Sequence, residues 1–358
     1  MRLQAVPGIG PVGCKQLIER FGSPSAVFAD KGILAESGLR PDLAGRYGEE
    51  QYLRWAEDEL EFATKRGIRC ISYLDPGYPA GLLQCADGPP VLFTRGAIRF
   101  DAGPLVSVVG TRGMTEYGRQ CCEAFIRGIA PINPIIISGY AYGIDITAQR
   151  TAMSLGLQTI ACMAHGLDRV YPAAHRRYEG ELLENGGYLS EFPRGTLPEP
   201  GHFLRRNRVI AGLSPATVVI ESGERGGSLV TAGLAFGYNR EVFAFPGRVT
   251  DMQSRGCHQL IRQQKAQLIQ DAGEFLHAMG WEPEGGDPDS HRPTRLPEHL
   301  EPNEQSLARI LRESGSRHLD DLAISCGISV SEALTSLFSL EMMGLVRALP
   351  GKCFCWEG

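Results

Sequence analysis

Between residues 101 and 280, short apolar, β-branched runs alternate with segments of helical length, and this rhythm limits what the chain can fold into. The runs fall at 105–109, 135–137, 159–163, 218–220 and 242–245, with a sixth and less regular one at 188–192. Segments of helical length lie between them at 118–129, 144–155 and 229–238. Strands that are apolar on both faces and separated by helices form a parallel sheet covered on both sides. The expected fold is α/β, a Rossmann-like doubly wound parallel sheet over 101–280.

The flanks read differently. Residues 1–65 carry short helical patterns and open on Pro7-Gly8-Ile9-Gly10, a small helical domain resembling a helix-hairpin-helix. Lys15 and Arg20 supply positive charge there, and the turn reads equally as a packing turn between helices. Residues 66–100 are a mixed connector punctuated by Gly77, Pro79, Gly88, Pro89 and Pro90. Residues 281–303, rich in Pro, Glu, Gly and Asp, have a linker's composition. Helical patterns at 306–311, 319–326 and 330–343, then a hairpin around Pro350-Gly351, give 304–358 a winged-helix outline.

Ten cysteines form no C-x-x-C and eight histidines no H-E-x-x-H, so neither a metal site nor a disulfide framework is expected. Reduced thiols fit a cytoplasmic protein. No apolar run approaches the ~20 residues of a membrane helix, and residues 1–10 lack the pattern of a signal peptide. The net charge of −5 opposes nucleic-acid binding unless basic residues are gathered locally.

Ligands of a doubly wound sheet sit beyond the carboxyl ends of its strands. Three Gly- and Ser-rich loops follow strands here: Gly110-Thr111-Arg112-Gly113, Ser138-Gly139-Tyr140-Ala141-Tyr142-Gly143, and Glu221-Ser222-Gly223-Glu224-Arg225-Gly226-Gly227-Ser228. Each reads singly as turn chemistry; three on one sheet edge would make a phosphate-binding crevice. The first loop is not G-x-G-x-x-G, and no G-x-x-x-x-G-K-[ST] occurs, so no nucleotide cofactor is expected. A fourth segment, His202-Phe203-Leu204-Arg205-Arg206-Asn207-Arg208, gathers three arginines beside an aromatic ring. Read as a helix start, those arginines oppose the helix dipole, which a bound anion would relieve. His175, Arg176 and Arg177 are a second basic group, read as surface. No catalytic set emerges. Asp145 and Glu191 read as capping or orienting carboxylates, and Ser138 and Ser228 have no histidine in a recognised spacing.

Four motifs together resemble the DprA/Smf family. They are Val108-Val109-Gly110-Thr111-Arg112, Ser138-Gly139-x-Ala141-x-Gly143-Ile144-Asp145, Arg206-Asn207-Arg208-Val209-Ile210-Ala211-Gly212-Leu213-Ser214 and Gly227-Ser228-Leu229-Val230-Thr231-Ala232, with Phe245-Pro246-Gly247 following. The resemblance covers about 70–280 and, less closely, both flanks. It implies a non-enzymatic protein, dimeric through its Rossmann-like domain, that binds and protects single-stranded DNA (ssDNA) and loads RecA recombinase during natural transformation. Arg112, Arg206 and Asn207 match the family's DNA pocket. Phe203 holds the aromatic position, although Leu204 stands where many members have proline.

From residues and resemblance together, Gly110, Thr111, Arg112, Ser138, Gly139, Arg206, Asn207, Arg208, Gly227 and Ser228 are expected to bind phosphate, and Phe203 to stack a base. The rival is a Rossmann-like phosphoribohydrolase acting on nucleoside monophosphates. Its P-G-G-x-G-T-x-x-E signature would fall at 221–231, where no glutamate follows the glycines. A duplex-DNA regulator is a third class, but 329–343 carries Glu332 and Glu341 and no Lys or Arg, a poor groove reader. A partner-docking role suits the C-terminal domain better.

Overall fold

The computed structural model describes residues 1–29, 49–281, 300–349 and 351–356, in two compact units, 1–269 and 270–358. The expected linker falls almost wholly outside the described residues.

The first unit opens with helices α1 (Arg2–Ala5), α2 (Pro11–Phe21), α3 (Pro24–Ala29) and α4 (Glu50–Lys65). Leu3, Val6, Ile9, Cys14, Leu17, Ile18 and Val27 form a small core among them. Lys15 donates to the Cys85 carbonyl at 2.9 Å, so the N-terminal turn's nearest cation is tied inward.

Strands β1 (Ile68–Ser72) and β2 (Val91–Gly96) follow, with α5 (Ala80–Leu83) between them. Then come β3 (Leu105–Val109), α6 (Glu116–Ile129), β4 (Ile135–Ser138), α7 (Ile144–Ser154), β5 (Thr159–Met163), α8 (Glu179–Glu184) and β6 (Gly186–Ser190). The unit closes with α9 (Pro200–Leu213), β7 (Ala216–Val219), α10 (Gly227–Gly237), β8 (Glu241–Ala244), α11 (Arg255–Arg262) and β9 (Gln267–Leu268).

The strand order is β1-β2-β6-β5-β4-β3-β7-β8-β9. From β6 to β9 every pair is parallel, with Val106 opposite Ile136 and Val109 opposite Val219. Strands β3 to β5 are buried almost throughout, the requirement for a sheet with helices on both faces. Order reverses between β3 and β7, and a crevice opens beyond the carboxyl ends of strands at such a point.

Two expectations need correction. The segment read as a connector supplies β1 and β2, which extend the sheet antiparallel on β6. The doubly wound sheet also ends earlier than expected, because α12 (Ala272–Met279) belongs to the second unit.

That second unit adds α13 (Pro302–Ser314), β10 (Ser316–His318), α14 (Leu319–Cys326), α15 (Val330–Met342), β11 (Val346–Leu349) and β12 (Cys353–Trp356). Reciprocal capping boxes start α13 at Glu301/Glu304 and α15 at Ser329/Glu332. Leu307, Leu311, Leu322, Leu337 and Leu340 form its core. The three strands pair in the order β10-β12-β11, so helices and a small sheet compose a winged helix.

Candidate functional site

A crevice of about 950 Å³ lies at the switch point. Gly110–Arg112 line it after β3, Ala141 and Asp145 after β4, Tyr171 after β5, and Ser222–Ser228 after β7. Helix α9 contributes Phe203, Arg206, Asn207 and Ile210, positions i, i+3, i+4 and i+7, which share one helix face.

The same periodicity sends the other arginines elsewhere. Arg205 and Arg208, three apart, both reach the Glu191 carboxylate, and Arg208 also donates to the Asp87 carbonyl. Arg208 was expected to meet phosphate. It is buried in this ion pair and does not line the crevice. Nor do the arginines stand at a helix start. Helix α9 begins at Pro200, so the arginines lie beyond its first turn and do not face its positive end.

Arg206 is buried but reaches the crevice. Its Nη1 donates to the carbonyls of Gly139, at 2.7 Å, and Cys162, while Nε donates to Asn207 Oδ1 at 3.3 Å. Nη2 makes no hydrogen bond among the described residues. Burial pushes the guanidinium's pKa down, and the Asp145 carboxylate opposes that shift. Burial likewise pushes Asp145 up, against Arg206 and the N–H groups of Ala141 and Gly139.

Those contacts correct a third expectation. The Gly139 amide donates to Asp145 Oδ2 at 3.1 Å and its carbonyl accepts from Arg206, so neither is turned to a ligand. Ser138 is fully buried and donates to the Val108 carbonyl at 2.6 Å. Gly139 serves by lacking a side chain: a Cβ there would lie 2.6–2.7 Å from the guanidinium of Arg206. Gly143 answers a different need, with φ +79° and a Cβ position 2.2 Å from the Thr111 carbonyl.

The remaining expected residues come together. Arg112 is exposed, its guanidinium carbon 5.3 Å from the centroid of the Phe203 ring; that of Arg206 is 5.9 Å from the same centroid. Thr111 binds through its backbone to Glu221 and Ile144. Asn207 donates to the Gly227 carbonyl at 3.3 Å, and Ser228 donates to the Ser222 hydroxyl at 2.9 Å. Helix α10 starts at Gly227 with Gly226 as N-cap and no side-chain cap; the Leu229 N–H donates to the Gly226 carbonyl at 3.2 Å, which leaves the N–H groups of Gly227 and Ser228 for an anion at the crevice wall.

Sequence reasoning missed Tyr171, Arg225, Gln253 and Arg255, which also line the crevice. Arg225 stands inside a loop already read as phosphate-binding. Tyr171, 5.9 Å from Phe203 ring to ring, comes from a loop with no glycine-rich signal. Arg255 pairs with Glu224 at 3.2 Å on the rim.

Comparison with known proteins places the chain in a family. The family model described as DNA recombination-mediator protein A matches residues 69–280, and the DprA winged helix domain matches 291–352. The chain belongs to the DNA recombination-mediator protein A family. A putative DNA processing protein DprA of Mycobacterium tuberculosis is 33% identical, covering 87% of this chain and 83% of its own length. Protein Smf of Synechocystis is 31% identical over 97% of this chain and 95% of its own length. Among solved structures, DprA of Streptococcus pneumoniae superposes with a TM-score of 0.68 at 32% identity, covering 77% of this chain and 95% of that one. A structure described by its ssDNA binding mode, DprA of Helicobacter pylori, has a TM-score of 0.53 at 29% identity, covering 59% and 94%.

Proposed function

We propose that this chain binds ssDNA in the crevice, without a nucleotide cofactor and without catalysis, and as a cytoplasmic homodimer protects the strand and passes it to RecA. The observation that carries the DNA-binding part is the grouping of Arg112, Arg206 and Phe203 beside the uncapped start of α10. A nucleic-acid strand needs cations and N–H groups for its phosphates and an apolar face for its bases. Stacking on an aromatic ring is tolerant of sequence and contributes about 1–3 kcal/mol per base. The similarity to the Helicobacter pylori protein supports the same reading. The RecA, homodimer and transformation parts rest on the family resemblance.

The two glutamates of the loop after β7 are already engaged, which supports a binding rather than a hydrolytic role. Glu221 is buried and accepts from the Thr115 N–H at 2.8 Å and the Thr115 hydroxyl at 2.5 Å. Glu224 holds Arg255.

Titration into fluorescent oligo-dT and the matching duplex, without nucleotide and at several salt concentrations, tests the proposal. The expected result is preference for the single strand, with log K falling against log salt by about 0.7 per neutralised phosphate. Equal affinity for duplex, or no binding, overturns it and moves the assay to nucleoside monophosphates, with release of free base as the readout.

A further inference from the structure

The basic group at His175-Arg176-Arg177 has no part in the crevice, yet the structure does not leave it as scattered surface. His175 is buried: its Nδ1–H donates to the Tyr140 carbonyl at 2.9 Å, and the Tyr140 hydroxyl donates to the His175 carbonyl at 2.9 Å. Tyr140 itself has φ +57°, a conformation held by this mutual anchoring. The His175 ring then lies 4.8 Å from that of Tyr142 and 6.2 Å from that of Tyr178. Two guanidinium groups sit over the Tyr178 ring, Arg177 at 4.7 Å and Arg150 from α7 at 5.2 Å.

Arg150, Arg176, Arg177 and Tyr142 are all exposed. Among the described residues none of the three arginines pairs with a carboxylate. Glu181, one helical turn after Arg177, forms no ion pair with it, and Glu179 is held by Arg95 at 2.9 Å. Like charges gathered without counter-charge repel, and the chain as a whole is acidic. Polyanion binding relieves that repulsion. The position of the group indicates which polyanion. Tyr142 follows Ala141, a crevice residue, and the 3-10 helix Ala173–Tyr178 that carries Arg176 and Arg177 begins two residues after Tyr171, another crevice residue. Aromatic faces interleaved with arginines suit the bases and phosphates of a single strand.

We propose that Tyr142, Arg150, Arg176 and Arg177 form an exit track, on which ssDNA leaving the crevice past Tyr171 lays its next phosphates and bases. This inference rests on the crevice binding ssDNA, and the test separates the two. Binding is measured with oligo-dT of about 6 nucleotides, enough for the crevice, and of about 20, enough for crevice and track. The full-length wild type is compared with Arg112→Ala and with the triple variant Arg150→Gln/Arg176→Gln/Arg177→Gln.

The triple variant is expected to keep its affinity for the short oligonucleotide and to lose the gain that length gives the wild type. Its salt slope on the long one should be lower by about 2, at ~0.7 per lost phosphate contact. An unchanged length gain and salt slope overturn the track while leaving the crevice standing. Arg112→Ala with undiminished short-oligonucleotide binding overturns the crevice itself. Should the triple variant fail to fold, Arg176→Glu alone, at an exposed position with no side-chain partner among the described residues, carries the same comparison.

Discussion

Arg206 is buried beside Asp145, and burial penalises the charge on each while the other charge offsets it. Removing one partner leaves the second uncompensated. Asp145→Ala also strips the Gly139 and Ala141 N–H groups of their acceptor. The expected cost is about 3–5 kcal/mol in urea unfolding. Asp145→Asn, which keeps an oxygen acceptor, should cost less; equal loss from both would show that charge alone governs the site. His175 gives a pH signature at the same scale. Burial pushes its pKa down, with the Tyr140 hydrogen bond opposing. The unfolded chain therefore binds a proton at higher pH than the folded one. Stability from the neutral ring is complete above the ordinary histidine value of about 6.5 and is lost as pH falls below it. His175→Asn can still donate to Tyr140 without titrating. The stability advantage of wild type over this variant should shrink between pH of about 7 and about 5. A constant difference would mean that the ring is not held neutral.

Helix α9 divides its polar side chains between two tasks, and variants along it should separate. Arg206→Ala faces the crevice and should weaken ssDNA binding, as should Arg112→Ala beside the same Phe203 ring. Arg208→Ala leaves Glu191, among the described residues, with only the half-exposed Arg205. It should lower stability by a few kcal/mol, about 3–5 at most, yet leave the affinity of the folded protein unchanged. Affinity loss in Arg208→Ala equal to that in Arg206→Ala would contradict the division. Gly139→Ala should mimic Arg206→Ala in binding, because a methyl there displaces the guanidinium. How far these assignments were legible in the sequence follows from the same helix. The cluster of arginines beside Phe203 marked the segment as a site, but which arginine faces out depends on where the helix starts. Pro200, the true first residue, gave no strong signal. The strands of the doubly wound core were legible because continuous β-branched runs bury both faces. β1 and β2 were not, since Pro and Gly around them mimic a connector. Ser138 and Gly139 were given the wrong role, because composition cannot show that Val108, Asp145 and Arg206 have already taken their polar groups.

At the scale of the whole chain, every crevice residue lies in the first unit, before residue 270. The second and third helices of the winged helix offer little to DNA. Helices α14 and α15 carry Asp320, Asp321, Glu332 and Glu341 and no lysine or arginine. The outward row of α15 is apolar: Val330, Leu334, Phe338 and Met342 recur every fourth residue and are all exposed. A helix that reads a major groove presents cationic as well as hydrogen-bonding side chains to base edges, and this one carries no cation. Deleting 290–358 should therefore leave ssDNA affinity and its salt slope as they are in the full chain, because the phosphate contacts that set the slope remain. The same deletion removes the apolar row, so any property that depends on that row must change while binding does not. Fluorescence titration of full-length and truncated protein, both checked for a cooperative unfolding transition, decides the matter. A fall in affinity with the slope unchanged would point to lost avidity between copies, since two linked sites gain from each other without new contacts. A fall in both would place DNA-binding charge in the winged helix and overturn the division of labour between the units.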